Sequence, residues 1–361
     1  KISPDHEDSL WSIEAKYLPE DKITNLKRWL VNFSQEMDIS EKIHFSAQYS
    51  RVSDSDYFKE ISRTNTDEKT LKSNIKLSYD DEENNLSAAL LTEDEQVINA
   101  GVPVYTRALE ASLSKTFIID TNQKKKNNAE IDAEIERQLY EQAKGTSGEI
   151  AAEKIYNKVK IESWKYPSTS LSVNLSSTKF NHDDVTKESG VRTNGNFEIS
   201  RPFAVKFPKI TPKANVNITN YSLKNSNNIN RTILGSGLDV DFTINIPTSM
   251  FGYQANHRIT PLISYNYRAK KVQGNIPIFD TEDKYADIIT FADLTSGERY
   301  TGLDRITNAN DITLSLESSY RAIDAIDDDK DLLNMRIAQS FYTDDEVVSD
   351  TASTNYETRK S

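Results

Sequence analysis

Residues that could carry out chemistry are few and widely spaced in this sequence. The four histidines have no metal-ligand or nucleophile partner at a recognisable spacing, and the acidic run 327–331 lacks the glycine and the closing glutamate of a calcium loop. The chain has no cysteine, which excludes disulfides, thiolate metal sites and cysteine nucleophiles. We therefore expect no enzymatic activity, no cofactor and no metal ion.

The densest group of polar side chains lies at 297–310, directly before an alternating run. Gly302 permits a tight reversal, and Asp304 with Arg305 can form a charge-assisted pair. Asn308 and Asn310 can hydrogen-bond the backbone of turns. The chemistry that this set supports is hydrogen bonding that orders a loop, and the elements on either side must position it.

Alternation of apolar and polar residues with period two is the dominant pattern along the chain. It predicts about 13 strands of roughly 9–12 residues, long enough to cross a bilayer when tilted. These lie near 9–18, 27–36, 42–52, 69–80, 86–97, 104–118, 166–178, 192–204, 211–223, 232–246, 257–270, 310–322 and 332–343. On two of them the residues opposite the apolar face are Asp239, Asp241, Thr243, Asn245, Thr313, Ser315 and Glu317.

The connections between these strands alternate in length. Short turns include 37–41, 81–85, 205–210 and 323–331, whereas longer loops include 53–68, 179–191 and 271–309. Such alternation is typical of a membrane barrel with short periplasmic turns and long outer loops. We predict an all-β, antiparallel up-and-down transmembrane β-barrel domain over 1–361. An open sheet edge does not persist in lipid, so the chain would be a partial barrel, with the seven polar residues named above facing the lumen.

The connection 119–165 is an exception, because it falls on the short-turn side yet carries apolar residues at helical spacing. A capping-box sequence at 146–149 supports a second helix there. We predict a charged helical hairpin inserted into a turn. It is either a surface insertion without a dedicated function or a binding element for a periplasmic partner.

Aromatic residues at the strand ends resemble the two interfacial girdles of an outer-membrane barrel. Tyrosine is common in any strand, so the pattern supports a barrel only together with strand length and loop alternation. The predicted girdle residues are Tyr17, Tyr49, Tyr221 and Tyr267 at the long-loop ends and Tyr79, Phe117 and Tyr320 at the short-turn ends.

Composition narrows the class of partner. The net charge of −12 argues against nucleic acid, whose binding needs clustered lysine and arginine. No apolar run approaches about 18 residues, so no transmembrane helix is expected. The chain begins at Lys1 without a signal-peptide pattern, and we expect it to be processed or a piece of a longer protein.

Three separated blocks of the sequence carry a family resemblance. They are 27–61, which ends in AQYSRVSDSDYFKEI, then NHRITPLISYNYRAKKVQGNIPIFDT, and GERYTGLDRITNANDITLSLESSYR. In order and spacing they resemble the LPS-assembly protein LptD, also called the organic solvent tolerance protein, apart from 119–165. The loop residues of these motifs are Arg51, Asp54, Asp56, Tyr57, Phe58, Pro277, Phe279, Asp280, Gly302, Asp304, Arg305, Asn308 and Asn310.

The resemblance implies part of an outer-membrane translocon that inserts lipopolysaccharide into the outer leaflet. It also implies contact with outer-membrane lipid, an LptE-like lipoprotein plug and an LptA-like bridge bound by a periplasmic domain. That domain and the lateral-gate strands lie outside this chain, which we expect not to transport alone. The loop cap at 297–310 would order the outer mouth or fold into the lumen, and contact with substrate sugars or LptE is the alternative. Acidic residues of the lumen would repel phosphate, so divalent cations or LptE are expected to mediate there.

Two other functions remain open. A general outer-membrane porin would be expected to cluster arginines opposite acidic residues, and the sequence offers no such cluster. A soluble β-rich, adhesin-like module would have strands of about 5–6 residues and more regular turns. The long strands and unequal loops favour the outer-membrane assembly function.

Overall fold

The computed structural model describes residues 9–22, 25–62, 69–99, 104–119, 135, 137, 139, 140, 144, 167–203, 205, 207–284, 289–322 and 331–344. Within them nearly all regular structure is antiparallel sheet. Its strands are β1 Ser9–Leu18, β2 Arg28–Ser40, β3 Ile43–Val52, β4 Thr70–Asp81, β5 Leu86–Val97, β6 Thr106–Ile119, β7 Thr169–Asn181, β8 Gly190–Ser200, β9 Lys209–Leu223, β10 Ile229–Asp241, β11 Ile244–Met250, β12 Tyr253–Arg268, β13 Ala309–Ala322 and β14 Asp331–Tyr342. In the sheet each strand is hydrogen-bonded to the next in the order β1 through β10, followed by β12, β13 and β14. The short β11 pairs with β12 beside this path. The predicted all-β, up-and-down antiparallel fold is confirmed.

Two predicted boundaries differ from the structure. β2 runs to Ser40, so the predicted turn 37–41 shrinks to 41–42. The predicted strand 232–246 is interrupted, because the Asp241 carboxylate accepts hydrogen bonds from Thr243 N at 2.7 Å and Thr243 Oγ1 at 2.5 Å. Such local side-chain bonds compete with the strand ladder.

Helices are short in the described part of the chain. A π-helical turn spans Phe58–Ser62, and the α-helix α1 spans Phe291–Ser296. Most of the predicted helical hairpin at 119–165 lies outside the described residues, so the hairpin stays a prediction. Among the residues described there, Ile135, Arg137, Leu139 and Tyr140 are helical. Among the described helices, none combines the length and the apolar character that a membrane crossing requires.

The chain divides into two compact units. Unit 1 comprises Lys1–Thr116, Ser172–Phe197 and Asn217–Thr232, and unit 2 comprises Phe117–Leu171, Glu198–Val216 and Ile233–Ser361. In unit 1 an apolar cluster packs where the β3–β4 loop meets the ends of β2 to β5. Its buried members are Leu30, Val52, Tyr57, Leu71 and Ile98.

Unit 2 pairs β10 and β11 with β12, and β12 with β13 and β14. Val240 lies opposite Ile263, and Ile263 lies opposite Leu314, so apolar residues form rows across the strands. Leu314 and Ile263 are 42% and 40% exposed, whereas Thr313, on the other face of β13, is 3% exposed. The apolar face of this sheet is therefore the exposed one.

The structure of unit 1 corrects the prediction that Tyr221 belongs to an aromatic girdle. Tyr17 and Tyr49 are exposed, as the girdle requires, but Tyr221 is fully buried. Odd-numbered positions at this end of β9 point to the covered face, where Thr219 is also fully buried. Tyr221 is consequently a packing residue of the covered face.

Candidate functional site

The predicted lumen residues share one face of unit 2. Asp239 lies opposite Ser264, and Ser264 lies opposite Thr313. Asn245, beyond the break in the strand, lies opposite Arg258 on the same face, and Glu317 lies opposite Thr260. Asp241 lies two residues from Asp239, and Ser315 lies two residues from both Thr313 and Glu317, so they share the same face. Thr243 reaches Thr260 on that face, so all seven come together on one polar surface. That this surface lines a lumen remains a prediction.

Cationic side chains compensate two of the predicted acidic residues. The Asp239 carboxylate lies 3.2 Å from Lys213 Nζ and accepts a hydrogen bond from Ser264 Oγ at 2.7 Å. The Glu317 carboxylate accepts from Arg336 Nη2 at 3.1 Å and from Asn334 Nδ2 at 3.2 Å. This pairing weakens the repulsion of phosphate that the sequence alone suggested.

A second polar cluster lies on the covered face of unit 1 and was not predicted. Thr219 Oγ1 donates to Asn194 Oδ1 at 2.8 Å and accepts from Arg231 Nη2 at 3.0 Å. The Arg192 guanidinium lies 4.8 Å from the centre of the Phe180 ring. Both arginines are buried. The sequence signal for this cluster was an arginine on the polar face of a predicted strand. Because Arg192 and Arg231 lie on different strands, that signal did not indicate that polar residues would cluster.

The β12–β13 loop, 269–308, is ordered around Asp304. This residue is fully buried, and its carboxylate Oδ2 accepts hydrogen bonds from Phe279 N at 2.7 Å and from Asp280 N at 3.1 Å. The neighbouring Arg305, 2% exposed, donates to the carbonyl oxygens of Asp304 at 3.0 Å and Ile276 at 2.9 Å. Asp304 and Arg305 therefore both bind the backbone of the first half of the loop.

Other side chains complete the ordering of this loop. Gln273 pairs with both backbone groups of Ile306, donating from Nε2 at 2.7 Å and accepting at Oε1 at 3.1 Å. Arg299 donates from Nε to both carboxylate oxygens of Asp283, at 3.1 and 3.0 Å. The predicted loop is thus extensively hydrogen-bonded, and its role as a cap of an outer mouth stays a prediction. Of its remaining motif residues, Pro277 is half-buried, Asn308 is buried, and Asn310 accepts from Tyr265 OH at 3.1 Å.

Gly302→Ala is expected to destabilise this loop by about 3 kcal/mol. The left-handed backbone, with φ of +61°, costs about 1–2 kcal/mol for any L-residue. A Cβ would also lie 2.3 Å from Asp280 Oδ1 and 2.6 Å from the Asp280 carbonyl oxygen. The matched control is Gly297→Ala, where φ is +66° but a Cβ would lie 3.8 Å from Asn266 Nδ2, an ordinary contact distance. Urea titration compares the two variants. Equal losses would show that contact with Asp280 does not matter.

The β3–β4 loop of unit 1 holds the other motif residues around a buried arginine. Arg28, 3% exposed, has Nε 3.5 Å from the carboxylates of both Asp21 and Asp54. Its Nη2 donates to Glu60 Oε2 at 2.6 Å. Tyr57 is buried, and its ring meets that of Phe58 edge-on with centroids 5.6 Å apart. Elsewhere in this loop region Arg51 pairs with Asp94, and the Asp56 amide donates to Asp54.

Acidification is expected to release the 182–189 loop of unit 1 from the loop that follows β9. The Glu188 carboxylate accepts hydrogen bonds from Asn225 N and Ser226 Oγ, each at 2.8 Å, and these bonds lower its pKa below the usual 4.5. Because the folded-state pKa is depressed, the stabilisation is present above pH 4.5 and is lost as the pH falls through the folded value. Amide exchange at Asn225, corrected for the intrinsic rate, should accelerate there. Glu188→Gln should abolish this pH dependence.

Comparison with known proteins identifies the family. A sequence model of LptD, described as LPS transport system D, matches residues 26–361. The LPS-assembly protein LptD of Hahella chejuensis is 22% identical over 349 residues, which cover 93% of this chain and 37% of that protein. The corresponding protein of Nitrosospira multiformis is 24% identical over 311 residues, covering 84% of this chain and 29% of its own. The LPS-assembly protein LptD of Aromatoleum aromaticum is 30% identical over 176 residues, which cover 47% of this chain and 22% of that protein.

These relatives are much longer than the present sequence, which spans 37% or less of each. The family model, by contrast, matches almost the whole chain, including both motif-bearing loops and the polar face of unit 2. The chain belongs to the LptD family, LPS transport system D.

Proposed function

We propose that the strands of this chain cross the outer membrane and form part of a barrel wall along which lipopolysaccharide reaches the outer leaflet. The observation that carries the proposal is the inverted exposure of β13. Its apolar residues Ile312, Leu314 and Leu316 are 40%, 42% and 39% exposed, whereas Thr313 is 3% exposed. A water-soluble sheet turns its apolar face to the core, and a membrane strand turns it to lipid. The inverted pattern also argues against an adhesin-like soluble module.

The polar face of unit 2 suits a hydrated substrate. Sugar and phosphate groups need hydrogen-bond partners once they leave bulk water. The face supplies partly exposed hydroxyl groups such as those of Thr243 and Thr260, and carboxylates compensated by Lys213 and Arg336. Donors and acceptors are therefore both available with little uncompensated charge.

The partners follow from the same proposal. An LptE-like lipoprotein would occupy the lumen against the polar face, and an LptA-like bridge would deliver lipopolysaccharide through a domain outside this chain. The ordered 269–308 loop would cap the outer mouth. Its buried Asp304 and Arg305 bind the loop backbone, which supports a role in shaping the mouth more than in holding sugars directly.

A photocrosslinking residue at Ser315, in the full-length protein produced with LptE, tests this function. Ser315 lies on the polar face and Leu314 on the apolar face of the same strand, so Leu314 is the matched control position. We expect Ser315 to crosslink lipopolysaccharide only while newly made lipopolysaccharide is supplied from the inner membrane. The proposal would be overturned if the supply-dependent crosslink to lipopolysaccharide formed at Leu314 and did not form at Ser315.

A further inference from the structure

A groove of about 640 Å³ lies on the exposed face of β6 to β9 in unit 1. Its apolar walls include Leu113, Leu175 and Ile218, which are 41%, 42% and 48% exposed. These three residues are exposed, so their side chains lie on the outward face of the strands. Asn194, whose side chain accepts from the buried Thr219, also borders the groove. The groove is therefore a feature of the apolar, outward side of these strands.

Small side chains create this depression. Ala111, Ser177 and Gly195 stand in the lining where the neighbouring positions carry leucine or phenylalanine. A Cβ on Gly195 would lie 3.0 Å from Phe197 Cε2 and 3.3 Å from Leu175 Cδ2. The glycine thus lets the Phe197 ring lie close to the sheet and leaves the space beside it open.

The groove has a polar end and an apolar end. Ser177 and Thr193 have their hydroxyl oxygens 3.3 Å apart, near the 182–189 connection of the two strands. Leu175 and Phe197 line the part farther along the strands, away from that connection. None of the lining residues is charged. An occupant must therefore be mostly apolar, with a neutral hydrogen-bonding group toward the long-loop end.

We propose that this groove binds one fatty acyl chain of an outer-membrane lipid. The carbonyl oxygen of its ester or amide group accepts from the hydroxyls of Ser177 or Thr193, and the chain runs along Leu175 and Phe197. This inference rests on the proposed function, because it requires the outward face to lie in the bilayer. The polar end points toward the outer loops, which matches a lipid whose headgroup lies at the outer surface. The uncharged lining fits the acyl part, which phospholipid and lipopolysaccharide share.

Filling the groove tests the inference. Ser177→Leu and, independently, Ala111→Leu place bulk on its floor, while Ser236→Leu makes the same exchange at an exposed position of β10 outside it. The full-length protein with LptE is reconstituted in vesicles of phosphatidylethanolamine and phosphatidylglycerol, with or without lipopolysaccharide. Native mass spectrometry then counts retained lipids, and the adduct mass identifies their source.

We expect one retained lipid in the unchanged protein and in Ser236→Leu, and about tenfold lower occupancy in both filled variants. The loss reflects van der Waals contacts between the acyl chain and the groove wall, because lipid tails are themselves apolar, and a tenfold change corresponds to about 1.4 kcal/mol. Equal occupancy in all four proteins, while each remains membrane-inserted by protease protection, would overturn the acyl-chain site. Failure of the unchanged protein to insert would instead overturn the proposed function on which the site rests.

Discussion

Asp304→Ala is expected to open the 269–308 loop and to cost about 4 kcal/mol in stability. The buried carboxylate accepts from the amides of Phe279 and Asp280, and each buried donor left without an acceptor costs about 1–3 kcal/mol. Amide exchange at these two residues, measured in the reconstituted protein, should rise strongly, whereas exchange within the β12–β13 ladder should change little. The loop is thus expected to lose its order without unfolding the strands that carry it.

Two controls separate this effect from the loss of a charge. Asp304→Asn keeps an acceptor oxygen at the same place and should retain most of the amide protection. Glu298→Ala removes a carboxylate from an exposed position of the same loop and should leave protection unchanged. Unaltered exchange at Phe279 and Asp280 in Asp304→Ala would show that the carboxylate does not organise the loop.

A second large effect is expected for a charge placed on the outward face. Leu314→Lys puts an ammonium group on the exposed apolar side in the middle of β13, where lysine costs about 2–4 kcal/mol near the bilayer midplane. Ser315→Lys, one residue along, puts the same group on the polar face and should cost about 1 kcal/mol or less. Urea titrations of the protein in lipid vesicles compare the two.

The sign of this difference is informative in itself. In a water-soluble sheet the exposed Leu314 position would accept lysine with little change, and the half-buried Ser315 position would be the costly one. A larger loss for Ser315→Lys than for Leu314→Lys would therefore contradict the membrane orientation. Such a result would favour the alternative that the chain is a soluble β-rich module.

Strand positions were predictable because period-two alternation is a local property of the sequence. In β13, for example, alternation from Ile312 to Glu317 fixes which residues share a face, and pairing with β12 preserves it. The break at Asp241 was missed because it depends on a side chain that hydrogen-bonds two residues ahead. The burial of Tyr221 was missed because a tyrosine near a strand end fits either face.

The loop site was predictable in its residues and not in its contacts. Gly302, Asp304 and Arg305 were identified by type, but Asp304 and Arg305 bind backbone groups of 276–280, on the far side of the loop. Such partners depend on tertiary closure. The same holds for Arg231, which reaches Thr219, and through it Asn194, only because neighbouring strands are paired in order.

The most direct test of the account is a scan of single cysteines along β13 from Ile312 to Glu317. Residues 1–361 contain no cysteine, so within them each label reports on one position. We predict strict alternation: labels at Ile312, Leu314 and Leu316 are quenched by reagents dissolved in the bilayer, and labels at Thr313, Ser315 and Glu317 are not. Absence of a two-residue period, or equal access of water-soluble reagents to both faces, would contradict the assignment of this sheet to an outer-membrane wall.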